Sequence, residues 1–595
     1  MRLGLGCMRL STDEDRDEGR ALATLRAALD GGVRVFDTAR AYGLDEADAG
    51  HNERLLCRAI AASGVDRTSL RVITKVGMRR HDGAFTPDGR GRAILDDARA
   101  SREALGGAPI DVLLLHAVDP RVPLATSVRA LVRAREEGLC RAIGLSNVTR
   151  GELERALAIA EIGAVEVALG AHDDACVRGG LVQLCDERGV ELFAHSPLGG
   201  PKRAPRLARD RTLAPLAGAL SMTPAELVLA YLLHVHPKIV PLVGARRPWS
   251  MESALGAEPR KLEDDVLLQL DARFPALGAL RRPTPRVTPH EGAPEVVLVV
   301  GVPGAGKSRF SRALVERGYE RLNRDERGGT LRGLSTALDQ RLAAGARRLV
   351  LDGTYVTRAS RNDVLVTAHR HGARVRCALI DTPIAEAQIN VVSRIVRRYG
   401  ELLGPEALAR HRVDDANLVL PNVLHRMQRA LEAPSLDEGF DEVEVVPFLR
   451  QHPREHPREH NERTSGGAMI AIEEVGREVD GVLTLRNDVD AAIARVPVQC
   501  SCVLLMAWRP DATPEFVASA RALCDVLGRQ WGRAVELGLC THPAGPPTCW
   551  CRPPLPGLWV AFAERRKLDP RVSVMLGSAT MHGAMAKALG LGQPR

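Results

Sequence analysis

The chain has 595 residues, 45 % of them hydrophobic and 26 % charged, which excludes disorder and exceeds what one apolar core supports, so several globular domains are expected. Its net charge of +8 permits polyanion binding but, spread over this length, defines no basic patch. No apolar run approaches the roughly 20 residues that span a bilayer, and the N-terminus lacks the charged and apolar regions of a signal peptide, so no membrane partner and a cytoplasmic location are expected. Most of the twelve Cys, such as Cys57, Cys140, Cys185 and Cys377, sit singly in apolar segments and read as reduced core thiols.

Across residues 1–275, strand-like apolar runs alternate with helical spacing eight times. The runs fall at 2–8, 33–38, 70–76, 110–115, 140–145, 164–169, 190–195 and 239–243. Eight such units predict a closed (β/α)8 TIM barrel, in which chemistry gathers at the C-terminal strand ends. Asp37 ends the second run, Tyr42 follows five residues later, Lys75 ends the third and His116 follows the fourth. Only seven residues of the chain are Lys, so a Lys that persists at such a place draws notice. In this set Lys75 is expected to lower the pKa of the Tyr42 phenol, Asp37 to hold the ammonium, and His116 to orient a substrate carbonyl.

The stretches FDTARAYG, NERLLCRAI, VITKVG, LLLHAVD, IGLSN, SPLGG and VPLVGARRP make this domain resemble the aldo/keto reductases. The resemblance implies reduction of a small-molecule carbonyl substrate with NADPH, Ser146 and Asn147 near the cofactor's carboxamide, and Arg246 near its 2′-phosphate. Two departures stand out: Ala168 within VEVALGA where the family usually has Gln, and no evident aromatic to stack on the nicotinamide. They leave open an alternative in which the barrel senses nicotinamide without turnover.

Residues 276–294 are Pro-rich and aperiodic and read as a linker. Beyond it, residues 301–308 read GVPGAGKS and match GxxxxGK[ST] at every fixed position, between an apolar run at 296–300 and a helical stretch at 309–317. Backbone N–H groups at that helix start can cradle phosphates, so the segment 295–449 is expected to be a P-loop NTPase domain of three-layer α/β type that binds ATP. Gly301, Gly304 and Gly306 allow the loop, Lys307 reaches the phosphates, and Ser308 supplies a hydroxyl to Mg²⁺. Asp325, after a strand at 319–322, is the candidate base for an acceptor hydroxyl. Asp352, ending a strand at 348–351, is placed to help hold Mg²⁺ or the acceptor. Arg394, Arg397 and Arg398 lie on a helix after a strand at 375–380, and one of them, with Arg394 the first candidate, is expected to reach the phosphates; the same three residues also suit a solvated helix face. Through VVLVVGVPGAGKS, LNRDERGGTL and VLDGTYVTRASR the domain resembles polynucleotide 5′-hydroxyl kinases, which implies nucleic-acid ends as acceptors. Gluconate-type and toxin-type small kinases share the skeleton and keep a sugar or polyol acceptor open.

Residues 450–468 contain a duplicated His-Pro-Arg-Glu unit with His452, His456 and His460 and read as a second, solvated linker. In the last segment, 469–595, Cys540, His542, Cys549 and Cys551 have the spacing of a closed tetrahedral Zn²⁺ site stapling a Pro- and Gly-rich loop. CTHPAGPPTCWCRPPLPGL resembles the zinc loop of haloacid dehalogenase-type phosphatases, implying a HAD-like α/β domain. The family's catalytic motifs have largely gone: its Asp-x-Asp-Gly is read as residues 478–481, with Glu478 and Asp480, and its later acids as residues 577–582. A phosphatase that no longer turns over is expected, within an α/β multidomain protein.

Overall fold

A computed structural model describes residues 2–594 except 259, 284–286, 413, 414, 416 and 450–464, together with the side chain of residue 325. The described chain forms two compact units, one of residues 1–286 with 358–363 and one of residues 287–357 with 364–595.

In the first unit, strands Gly4–Gly6, Val35–Asp37, Arg71–Val76, Ile110–Leu115, Cys140–Ser146, Ala164–Ala168, Glu191–His195 and Ile239–Val243 pair in parallel, each beside its sequence neighbour. The first strand also pairs with the last, Gly4 opposite Leu242, so the sheet closes. Helices between the strands start where their caps dictate. Thr149 and Thr223 each accept from the backbone N–H three residues on, while Glu152 and Glu226 return the bond, forming capping boxes. An apolar plug of Ile73, Val112, Leu114, Ala164, Phe193 and Leu242 fills the barrel. Because side chains alternate along a strand, Lys75 and Glu166 point the same way as Ile73 and Ala164, one layer nearer the C-terminal rim. An inserted hairpin, Met78–His81 and Ala84–Pro87, follows the third strand directly. Its turn places Asp82 at φ 45° and Gly83 at φ 72°, the left-handed pair of an Asp-Gly hairpin turn.

In the second unit, strands Glu320–Asn323, Arg348–Asp352, Glu295–Val300, Arg374–Asp381 and Glu442–Pro447 lie side by side in that order, all parallel. The phosphate-binding sequence leaves the central strand Glu295–Val300 and enters helix Lys307–Val315. A second parallel sheet has the order Ala534–Cys540, Cys500–Trp508, Gly466–Ala471, Val574–Leu576. The expected linker at 450–468, with its three His, lies almost wholly outside the described residues. Segments on its two sides share one apolar cluster, in which Val299, Val391 and Ile395 pack with Trp550, Trp559 and Phe562. Among the described residues no single helix is long and apolar enough to cross a membrane.

Candidate functional site

The barrel brings Asp37, Tyr42, Lys75 and His116 together at the C-terminal strand ends, and all four are buried. Lys75 Nζ donates to Asp37 Oδ1, to the Tyr42 hydroxyl at 3.1 Å and to the Thr38 carbonyl at 3.3 Å. The His116 ring meets the Tyr42 ring edge-on, centroids 5.6 Å apart, and its Nδ1 is buried without a hydrogen-bond partner. A fifth member was missed in the sequence: Glu166, 2 % exposed, whose Oε1 lies 3.1 Å from Lys75 Nζ. The signal was present, since a lone carboxylate inside an apolar strand buried on both faces must find a cation.

Two carboxylates on one ammonium set the electrostatics. Burial alone would favour neutral Lys75, but Asp37 and Glu166 hold its pKa well above the usual lysine value. Glu166 is pushed up to about 8, by burial first and then by the Asp37 charge. Lys75 pulls the Tyr42 pKa down as expected, but burial, the larger effect, raises it and Asp37 and Glu166 push it up again, for a net rise. The phenol is therefore protonated at neutral pH and holds a proton to give. His116 is kept neutral, its pKa well below the usual value through burial, then through Lys75 and His195.

Around this centre, Asn147 adopts φ 56° and donates to the His116 carbonyl at 3.0 Å and to Ser146 Oγ at 3.1 Å. Its Oδ1 lies 3.0 Å from Nε2 of His195, a second residue missed in the sequence, whose pKa burial and Lys75 depress to about 4. Positive φ at a non-glycine residue is costly and persists where the surroundings fix it, here through these bonds. Ala168 lies on the same face of its strand as Glu166, two residues nearer the rim. An aromatic ring reaches this centre from the hairpin: Phe85 lies 6.4 Å from the Tyr42 ring and 5.9 Å from the His116 ring. Arg246, at 24 % side-chain exposure, is paired with Asp13 at 3.1 Å and Asp15 at 2.5 Å.

At the second site, Gly304 and Gly306 take φ 81° and 101°. A Cβ on Gly304 would stand 2.3 Å from the Ala387 carbonyl oxygen, so only glycine lets helix Ile384–Tyr399 pack on the loop. Asn390 Nδ2 donates to the Gly304 carbonyl at 2.9 Å and Thr382 Oγ1 to the Ala305 carbonyl at 2.8 Å. Lys307 Nζ donates to the Val302 carbonyl at 2.9 Å, and Ser308 is exposed at the first turn of its helix. Asp352, 2 % exposed, is gripped by Arg321 through Nε at 3.1 Å and through Nη2. The Asp325 side chain lies outside the described residues. Arg394 donates to the Asn417 carbonyl at 2.7 Å, Arg398 pairs with Asp415 at 3.0 Å and Arg397 with Glu564 at 3.2 Å. The three arginines thus tie the helix to neighbouring segments.

A third cluster gathers Cys540, His542, Cys549 and Cys551, whose ligand atoms all lie within 4.8 Å of one another. Individual separations run from 3.1 to 3.8 Å, near the roughly 3.8 Å edge of a tetrahedron with 2.3 Å arms. All four could therefore face one ion. Glu478–Gly481 is not at a parallel-strand end: Glu478 and Val479 end the antiparallel strand Gly476–Val479, and Asp480 and Gly481 turn it into Val482–Leu485. What the structure changes is the place of this degenerate motif: Asp480, at φ 49° beside Gly481, turns a hairpin, and residues 472–474 follow the parallel strand.

Residues 2–273 match the aldo/keto reductase family, and residues 296–420 match an AAA domain. Probable aldo-keto reductase 1 of Glycine max is 27 % identical over 305 residues, which cover 46 % of this chain and 85 % of that protein. A thermostable aldo-keto reductase solved with the inhibitor epalrestat is 28 % identical, covering 46 % of this chain and 95 % of that one, with a TM-score of 0.40. An aldo-keto reductase from Klebsiella pneumoniae solved with NADPH is 23 % identical over 46 % of this chain and 91 % of that one, also with a TM-score of 0.40. The chain carries an aldo/keto reductase domain at its N-terminal end, joined to a kinase-like P-loop domain.

Proposed function

We propose that the chain is a bifunctional enzyme, an NADPH-dependent aldehyde or ketone reductase fused to an ATP-dependent kinase whose acceptor is a polynucleotide 5′-hydroxyl. The observation that supports the reductase most is the buried Lys75, bonded at once to Asp37, Glu166 and the Tyr42 hydroxyl, beside an imidazole with an unpartnered nitrogen. His116 orients the carbonyl oxygen. Tyr42 delivers its proton to that oxygen, and the phenolate left behind is stabilised by the Lys75 ammonium at 3.1 Å. Bound NADPH would supply the hydride. Ser146 and Asn147 would hold its carboxamide, and Arg246 would take the 2′-phosphate by exchanging Asp13 and Asp15 for it.

In the second unit, the phosphate loop and the start of helix Lys307–Val315 would receive ATP, with Ser308 on Mg²⁺ and Asp325 as base. Asp352, gripped by Arg321, would position that arginine beside the acceptor. Zn²⁺ at the four C-terminal ligands would be structural, because a closed set leaves no place for a reacting water. The surrounding HAD-like segment would then serve as scaffold. Steady-state NADPH oxidation over an aldehyde panel, run beside ATP turnover, tests both halves. Nucleotide binding without oxidation of NADPH by any aldehyde would return the barrel to a sensing role.

A further inference from the structure

Two consecutive arginines on the hairpin beside the reductase site are treated oppositely. Arg79 is surrounded by carboxylates: Asp97 at 2.8 Å, Asp88 at 3.4 Å and Glu46 at 3.7 Å. Arg80 is 9 % exposed, and among the described residues its buried Nε has no hydrogen-bond partner. Among the described residues no carboxylate pairs with its guanidinium. Glu46 accepts only from its main-chain N–H, at 2.9 Å. Burial, unopposed by any neighbouring charge, accordingly lowers its pKa.

Burying an unpaired cation is costly, and the fold places three acids within 4 Å of the Arg79 guanidinium and none of them against that of Arg80. What covers Arg80 is Phe85, directly opposite it on the hairpin, with the guanidinium carbon 4.1 Å from the ring centre. An aromatic face attracts the cation but offers no acceptor to the in-plane N–H groups. The same Phe85 ring neighbours Tyr42 and His116, the pair assigned above to the carbonyl. The Arg80 guanidinium is therefore packed on the one ring, Phe85, that also neighbours the pair assigned to the carbonyl.

We propose that Arg80 is the anion-binding residue of the barrel site and that the natural substrate is a carbonyl compound bearing a carboxylate. The carboxylate would dock on the Nε edge of Arg80, in the two-bond geometry that guanidinium and carboxylate favour, while the aldehyde or ketone reaches Tyr42 and His116. Phe85 would hold the guanidinium plane and pack on the carbon chain between the two ends. This inference rests on the reductase reading and adds the substrate class to it.

The test compares matched pairs, 4-oxobutanoate against butanal and 4-formylbenzoate against benzaldehyde, in wild type, Arg80→Met and Arg80→Lys. Wild type is expected to favour the charged member of at least one pair in kcat/KM by roughly ten- to a hundredfold. That ratio should fall towards one in Arg80→Met and partly return in Arg80→Lys, with thermal melting confirming that both variants fold. Calorimetry with benzoate, which cannot be reduced, gives a second readout: Arg80→Met should weaken it at least roughly tenfold. An unchanged ratio in Arg80→Met, or equal benzoate binding by wild type and Arg80→Met, overturns the proposal. If no aldehyde is reduced by wild type, the reductase reading fails, and the benzoate comparison still decides whether Arg80 binds anions.

Discussion

At the scale of single residues, the barrel site is governed by one ammonium shared among four oxygens. Tyr42→Phe removes the proton donor while leaving the ring against His116, so kcat should fall by about 10²–10⁴ with NADPH affinity nearly unchanged; stopped-flow reduction and nucleotide titration measure the two separately. Glu166→Gln tests the shared charge through pH. Folded Glu166 keeps its proton up to about 8, whereas unfolded glutamate releases it near 4.3. Between those values the unfolded state binds fewer protons, so this group's contribution to stability declines as pH rises and levels off above pH 8. Wild type should therefore lose ground to Glu166→Gln between pH 5 and 8, on the order of 1 kcal/mol per pH unit, in denaturant melts. Parallel pH dependences in the two proteins would show Glu166 to be ionised throughout.

At the scale of elements, helix Ile384–Tyr399 joins the phosphate loop to the C-terminal segment. Its first half receives Gly304 and bonds it through Asn390. Its second half packs on helix Gly557–Arg566 and pairs Arg397 with Glu564. Gly304→Ala would drive a methyl group into the Ala387 carbonyl at positive φ, costing about 1–3 kcal/mol and weakening ATP binding, as calorimetry would show. Trp550, between two proposed metal ligands, is fully buried, and its Nε1 donates to the Val419 carbonyl at 3.0 Å. Trp550→Ala should cost about 3–5 kcal/mol in the unfolding of this unit, and stripping the metal with a chelator should lower its melting temperature in the same direction. A chelator without effect on the melt would leave the cluster as four thiol and imidazole groups with no ion to hold.

Elements also show what the sequence made legible. The runs at 110–115 and 239–243 coincide with strands because apolar residues continue to both ends of the ladder, whereas 2–8 shrinks to Gly4–Gly6, with Arg2 half-buried and Met8 exposed at its two ends. Strand Glu442–Pro447 escaped notice because an edge strand alternating Glu with Val reads as solvated chain. The tetrad was legible because its members lie at strand ends or in the loop just beyond one. Glu166, His195 and Arg80 were not, since whether a polar residue faces the barrel site or the solvent depends on closure and on a hairpin whose turn, Asp82-Gly83, was not read as one.

At the scale of the whole molecule, the two compact units predict separable activities, so Lys307→Ala should abolish ATP turnover and leave reduction intact. The acceptor is the remaining question, and its salt dependence tests the proposed polynucleotide. A 5′-hydroxyl on a polynucleotide is flanked by phosphates, which a neutral polyol lacks, so the two acceptors differ in how salt affects their binding. Binding to single strands releases counterions, with a slope of log affinity against log salt of about −0.7 per phosphate contacted. Transfer from labelled ATP to 5′-hydroxyl oligonucleotides should therefore fall steeply between about 50 and 200 mM salt, while transfer to small polyols stays weak at every salt concentration. Transfer to polyols alone, indifferent to salt, would exclude the polynucleotide and describe a chain whose barrel reduces an aldehyde to an alcohol that its second unit phosphorylates. Asp325→Asn should stop transfer in either case, because both acceptors present a hydroxyl whose proton needs a base, so the identity of the acceptor rests on the salt series and not on that variant.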